Sequence, residues 1–235
     1  MSLLYVDRVL VRFGGVTAVD GVNLLAKAGE ITGLIGPNGA GKTTLFNVIS
    51  GMQEPTGGSV SLDSVDITDL PAHKRAQRGM ARTFQRLELF GSLSVRDNIR
   101  VAAELAALTN VGSIVDEMIE RVGIADIADQ PAGDLPTGSA RLVEIARALA
   151  TRPKLLLLDE PASGLDEAES DRLGELLRTL AASGLGVLLV EHDMGLVMKV
   201  CDVIYVLDLG QIIAHGAPSE IQHDQKVLEA YLGAS

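Results

Sequence analysis

Eight residues early in the chain, Gly36-Pro37-Asn38-Gly39-Ala40-Gly41-Lys42-Thr43, have the types and spacing to hold phosphate. They fit G-x-x-x-x-G-K-[ST], in which glycines let backbone N–H groups curl around phosphate oxygens and the following helix points its positive end at them. Lys42 then reaches the outer phosphates and the Thr43 hydroxyl ligates Mg²⁺. A glycine-rich turn beside a stray lysine is the plain alternative. Against it stand the flanking elements, an apolar run before the loop and a helical pattern closed by Gly51 after it.

Two adjacent acids extend this chemistry. Asp159 ends the run KLLLLDE, which places a carboxylate at a sheet edge beside the phosphate loop, where it can hold a metal ion. Glu160 follows it and is better used as a general base that polarises an attacking water. His192 ends the next apolar run, LGVLLVEHD, and should emerge at the same edge as a γ-phosphate contact. The amide of Gln85, in ARTFQRLELF, can touch Mg²⁺ or water at the border of the following region. His73, His215 and His223 lack such a setting and read as ordinary core or surface residues.

These groups require elements that bring them to one edge. Leu155 to Leu158 form the continuous apolar run of a strand buried on both faces of a parallel sheet. LGVLLVEHD is a further strand, and DVIYVLDLGQIIAHG reads as a closing hairpin interrupted at Asp-Leu-Gly. Between two of these strands a helix begins at Asp166 as N-cap, carries Leu173, Leu176, Leu177 and Leu180, and stops near Gly184. Upstream, YVDRVLVRF and GGSVSLDSVDIT alternate as antiparallel strands do. From Phe84 to Leu149 the strand signals vanish, and Ser94-x-x-Asp97 and Ser113-x-x-Asp116 each resemble a capping box at a helix start. Within this stretch, GDLPTGSARLVEIARAL begins as a turn and ends as a helix, with Glu144 and Arg147 one turn apart for no local reason.

With 47% hydrophobic residues but only 3% aromatic and no Trp, the core must rest on aliphatic side chains, which suits a parallel α/β fold. The net charge of −11 opposes non-specific attraction to nucleic acid or anionic lipid. Cys201 is the single cysteine, so no intramolecular disulfide forms, and beside its apolar run it reads as core filler in a reducing, cytosolic protein. No apolar run approaches the roughly 18 residues of a membrane span, so any membrane link is expected through another protein.

Together these residues resemble the ATP-binding cassette (ABC) ATPases over essentially the whole chain. The resemblance implies an α/β fold with a P-loop NTPase (RecA-like) core, an antiparallel β subdomain and an inserted α-helical subdomain. It implies one domain over 1–235, with the nucleotide-binding core in 1–85 and 151–235 and the helical signature subdomain in 86–150. It places Phe13 as the adenine-stacking aromatic, Gly36 to Thr44 (hence also Thr44) as the phosphate loop, and Gln85 as the Q-loop. Leu135 to Ser139 stand where the family has its Leu-Ser-Gly-Gly-Gln signature, with Gly138 and Ser139 expected to face the nucleotide of an opposite subunit. Asp159-Glu160 match Walker B, Ala162 to Asp166 the D-loop, and His192 the switch histidine. Pro136, Thr137 and Ser139 depart from the signature, leaving Leu135 and Gly138 as matches.

RTFQRLELFGSLSVRDNI, PASGLD, VEHDMGLVM and the ending VLEAYLG resemble the ATP-binding subunit of bacterial branched-chain amino acid importers. Lipopolysaccharide-export ATPases share the style of the IAHG and YLG tail, and a soluble non-transport ABC ATPase is a further alternative. The implied ligands are ATP and Mg²⁺. The implied partners are transmembrane permease subunits, a second copy or a related ATPase, and indirectly a substrate-binding protein, with no nucleic acid. The implied location is the cytoplasmic face of the inner membrane, peripherally attached.

Overall fold

A computed structural model describes residues 2–232. Strands β1 (Ser2–Phe13) and β2 (Val16–Lys27) form a hairpin, followed by β3 (Ile31–Ile35), α1 (Lys42–Ser50), β4 (Gly57–Leu62), β5 (Val65–Asp66), α2 (Ala72–Gln77) and β6 (Met80–Arg82). Helices α3 (Val95–Leu105), α4 (Val111–Val122) and α5 (Thr137–Ala150) come next. The chain then alternates through β7 (Leu155–Asp159), α6 (Glu167–Ala182), β8 (Gly186–Val190) and α7 (Met194–Val200). It closes with the hairpin β9 (Val203–Asp208) and β10 (Gln211–Gly216) and the short helices α8 (Pro218–Ile221) and α9 (Gln225–Leu232).

The strands make two sheets, an antiparallel one in the order β2-β1-β4-β5 and a six-stranded one in the order β10-β9-β3-β8-β7-β6. In the larger sheet β9, β3, β8, β7 and β6 run parallel, and β10 returns antiparallel at the edge. The α/β expectation is met, with an antiparallel subdomain on one side and the helical run α3–α5 between β6 and β7.

The uninterrupted leucines of β7 follow from burial on both faces. Leu156 and Leu158 enter the core shared with the helices, while Leu155 and Leu157 enter the core under the antiparallel sheet with Leu45 and Phe46 of α1. Side chains two apart share a face of a strand, so a strand sandwiched between two apolar layers is apolar at every position. This sandwiching puts the C-terminal ends of β3, β7 and β8 at one edge, where Gly36, Glu160 and Glu191 follow.

Local capping agrees with the sequence in two helices and differs in one. Ser94 caps α3, its hydroxyl accepting from the Asp97 N–H at 3.0 Å. Asp166 caps α6 in a reciprocal box with Glu169. Ser113, by contrast, lies inside α4, whose N-cap is Asn110 in a left-handed conformation with no side-chain cap bond. The apolar face of Ile114, Val115, Met118, Ile119 and Val122 packs into the core. Val111, ahead of Ser113, packs against the same core, so the helix begins before the local capping signal. Cys201 is buried core filler as expected, and burial pushes its thiol up to about 12.

Candidate nucleotide site

The loop between β3 and α1 is fixed by backbone geometry that only glycine adopts easily. Gly36 has φ 150°, and a Cβ there would lie 1.9 Å from the Leu207 carbonyl oxygen. Gly41 has φ 105°, and its Cβ would lie 2.4 Å from the Ala18 carbonyl oxygen, so β2 and β9 wall the loop from both sides. Gly41 caps α1 without a side-chain bond, so no side chain covers the first N–H groups of the helix. Lys42 donates to the carbonyls of Gly36 (2.6 Å) and Pro37 (2.9 Å), which curls its ammonium over the loop. Burial lowers its pKa, and the charge of Glu160 opposes that shift, so the two groups sense one another across the site.

At the end of β7 the two acids diverge. Asp159 is buried, its Oδ2 accepting from Arg82 at 3.1 Å, and desolvation raises its pKa against the pull of that guanidinium. Arg82 also donates to Asn47 and Ser50 of α1, both at 2.7 Å, and stacks over Phe46 and Phe84. Glu160 turns away at φ 47°, a left-handed conformation rare for a residue with a side chain and costly before a proline. Its carboxylate is three-quarters covered, accepting from the Gln85 amide at 2.8 Å and lying 3.8 Å from His192 Nδ1. Three groups read from the sequence therefore meet, Gln85, Glu160 and His192, with Asp159 beside them and the Lys42 charge coupled to that of Glu160.

Sequence reasoning missed two residues here. Arg82 carried no motif signal beyond its place before Thr83-Phe84-Gln85. Glu191 was read only as part of VEHD, yet its side chain is fully buried. Its Oε1 accepts from the Ala162 N–H at 2.7 Å, and its Oε2 from those of His192 (2.9 Å) and Asp193 (3.3 Å). One carboxylate thus ties the turn after Glu160 to the loop that carries His192. An acid at the end of a fully apolar strand was the available signal.

The other expected residues lie elsewhere. Phe13 stands half-exposed at the β1–β2 turn, on the hairpin whose Ala18 walls the phosphate loop. Gly138, the second residue of α5, is buried beneath Glu169, whose carboxylate would be 2.3 Å from a Cβ at that position. Asp166 uses its carboxylate to accept from the Glu169 N–H at 2.8 Å. The turn of Leu135 to Ser139 thus lies against α6 and the turn before it at Gly164, and makes no hydrogen bond to Glu160, Gln85 or His192 among the described residues.

The donor set fits Mg²⁺. Thr43 is exposed at the mouth of the loop, and among the described residues no side chain bonds Asp159 Oδ1 while Arg82 holds Oδ2. Hard oxygen donors few in number suit a cation that completes its shell with phosphates and waters. No cluster of three or more His, Cys, Asp or Glu side chains forms an all-protein metal cage among the described residues.

A phosphate loop at the end of the central parallel strand β3, with an acid pair at the end of β7 one strand beyond its neighbour β8, defines a P-loop nucleotide hydrolase. The family model described as ABC transporter matches residues 19–163, and one described as branched-chain amino acid ATP-binding cassette transporter matches residues 211–235. The chain is 40% identical over 98% of both lengths to the high-affinity branched-chain amino acid transport ATP-binding protein BraF of Pseudomonas aeruginosa. It is 38% identical, over 99% of its own length and 98% of the relative's, to the lipopolysaccharide export system ATP-binding protein LptB of Escherichia coli. Among solved structures, it is similar to the ADP conformation of MJ1267, an ATP-binding cassette of an ABC transporter (TM-score 0.91, 31% identity, 99% of each chain). It is also similar to the dimeric structure of MJ0796, a bacterial ABC transporter cassette (TM-score 0.81, 26% identity, 92% of this chain and 99% of that one). The chain belongs to the ABC transporter family as an ATP-binding, ATP-hydrolysing subunit, a member of the P-loop class its site defines.

Proposed function

We propose that this subunit powers uptake of branched-chain amino acids or related small solutes, closing in pairs around MgATP beneath transmembrane permease subunits. The observation that carries the hydrolytic part is the Glu160 carboxylate, gripped by Gln85 and facing His192. Glu160 orients and polarises the attacking water, and its left-handed backbone aims it away from Asp159. Lys42 and the N–H groups of the phosphate loop hold the β- and γ-phosphates, and His192 contacts the γ-phosphate. Thr43, Asp159 and Gln85 would hold Mg²⁺, which when bound neutralises phosphate charge. Phe13 stacks on adenine, and the α5 N-terminus, with Gly138 and Ser139, faces the nucleotide of the opposite subunit.

The core (1–85 and 151–235) supplies the hydrolytic groups, and the helical segment (86–150) receives the permease. No helix among the described residues is long and apolar enough to cross a membrane, and the proposed attachment is peripheral, at the cytoplasmic face, through those subunits, as the relatives' roles as transport ATP-binding proteins support. Amino acid uptake is favoured over lipopolysaccharide export by the match of residues 211–235 to the branched-chain amino acid type. The test is ATP-driven leucine uptake by liposomes containing the complete transporter. Uptake that stops with Lys42→Ala supports the reading, and a transporter that hydrolyses ATP yet moves no branched-chain or related amino acid overturns the solute class.

A further inference from the structure

Glu144 and Arg147, one turn apart on α5, have no part in the hydrolytic cluster, and apart from the Arg141–Glu144 pair within the helix their partners lie in one segment. Residues 83–90 form neither helix nor strand, and the last backbone bond tying them to the large sheet is from the Thr83 N–H to the Leu157 carbonyl, 3.0 Å. Beyond it, α5 takes over. Arg141 donates to the carbonyls of Phe84 (3.0 Å) and Gln85 (2.5 Å) and pairs with Glu144 at 2.9 Å. Glu144 accepts from the Glu88 N–H at 3.0 Å, and Arg147 donates to the Glu88 carbonyl and stacks over Phe90. Arg141 and Glu144 are each only 6% exposed.

We propose that Arg141 and Glu144 are positioning residues for Gln85. A loop without its own ladder takes its shape from whatever satisfies its backbone groups, and here a planar guanidinium forks across two successive carbonyls, one of them that of Gln85. The side chain of the same glutamine holds Glu160. The helix that leads the signature turn therefore sets where the amide meets the candidate base. This rests on the reading of Gln85 and Glu160 given above. In a closed pair, one helix would present its N-terminus to the opposite nucleotide while its side chains hold its own chain's Gln85.

Removing one member of a buried ion pair leaves the other charge unpaired, so the test uses the double variant Arg141→Met/Glu144→Gln, with Arg141→Lys as a milder second variant. Thermal melting checks that each is folded. The expected result for the double variant is kcat lower by about ten- to a hundredfold, KM for ATP unchanged, and faster hydrogen exchange at amides 84–88 but not within α5. Adding Gln85→Ala should lower kcat no further, because both changes remove the same alignment. Arg141→Lys, which keeps one donor within reach, should fall between. A parent-like kcat in the double variant beside a slow Gln85→Ala overturns this inference alone, as does a full additional loss on adding Gln85→Ala. Parent-like turnover by Gln85→Ala itself overturns the role of Gln85 and this inference with it.

Discussion

The Glu160 region and the signature turn are built in opposite ways. Around Glu160, side chains from the ends of several strands converge: Gln85 on the carboxylate, His192 at 3.8 Å, Glu191 locking the two loops behind them. At Leu135 to Ser139 almost nothing converges. Gly138 is covered by a glutamate of its own chain, and the strong contacts of α5 lie further along, at Arg141, Glu144 and Arg147. The first region is a preorganised half-site, complete within one chain. The second is a helix end that, in the proposed pairing, meets the nucleotide of another molecule through backbone and dipole.

Substitutions should separate the two. The largest effect belongs to Glu160→Gln, with kcat down on the order of 10²–10⁴-fold and ATP affinity unchanged, read by steady-state kinetics and equilibrium binding. Normal turnover would remove Glu160 from the role of base and erase the contrast. Next comes Glu191→Ala, which strands the buried backbone N–H of Ala162 and the part-buried one of His192. It should lower unfolding free energy by about 2–3 kcal/mol in denaturant melts and slow turnover by loosening His192. A loss of stability with full activity would make Glu191 purely structural.

At the signature end, Ser139→Gln restores the family's residue and should strengthen MgATP-driven association by about fivefold, the worth of one hydrogen bond. Weaker association would mean the turn works through a different contact. Gly138→Asp is the poorer probe there, because any side chain at that position displaces Glu169.

The smallest effect is a pH dependence. Burial raises the Glu144 carboxyl above its ordinary value of 4.5, so its contribution to stability is present at low pH and is lost as pH rises through the folded-state value. Glutamine does not titrate. From about pH 4.5 upward the parent should therefore lose stability relative to Glu144→Gln, and the opposite trend in paired melts would contradict the burial argument.

The same contrast governs what was legible in the sequence. The phosphate loop, β7, β8, the β9–β10 hairpin and the Asp166 cap were readable because each is specified by neighbours in the chain: glycine spacing, apolar runs and a residue that bonds three positions on. The roles of Arg82, Glu191 and the Arg141–Glu144 pair were not, because the contacts that give them meaning, to Asp159, Ala162, Phe84 and Glu88, reach across dozens of residues and no local pattern encodes them. Ser113 failed in the other direction, a genuine local signal overruled by the apolar face of α4. The reciprocal cap at Asp166 was read correctly, but Glu169 lying over Gly138 needed the packing of α5 against α6 to be seen.

The central claim is that a complete half-site in one chain is closed by the signature turn of another. The most direct test is the solution mass of the Glu160→Gln protein with and without MgATP. The account predicts a monomer that becomes a dimer when MgATP is added. A protein that binds MgATP and stays monomeric would contradict the pairing of two such chains.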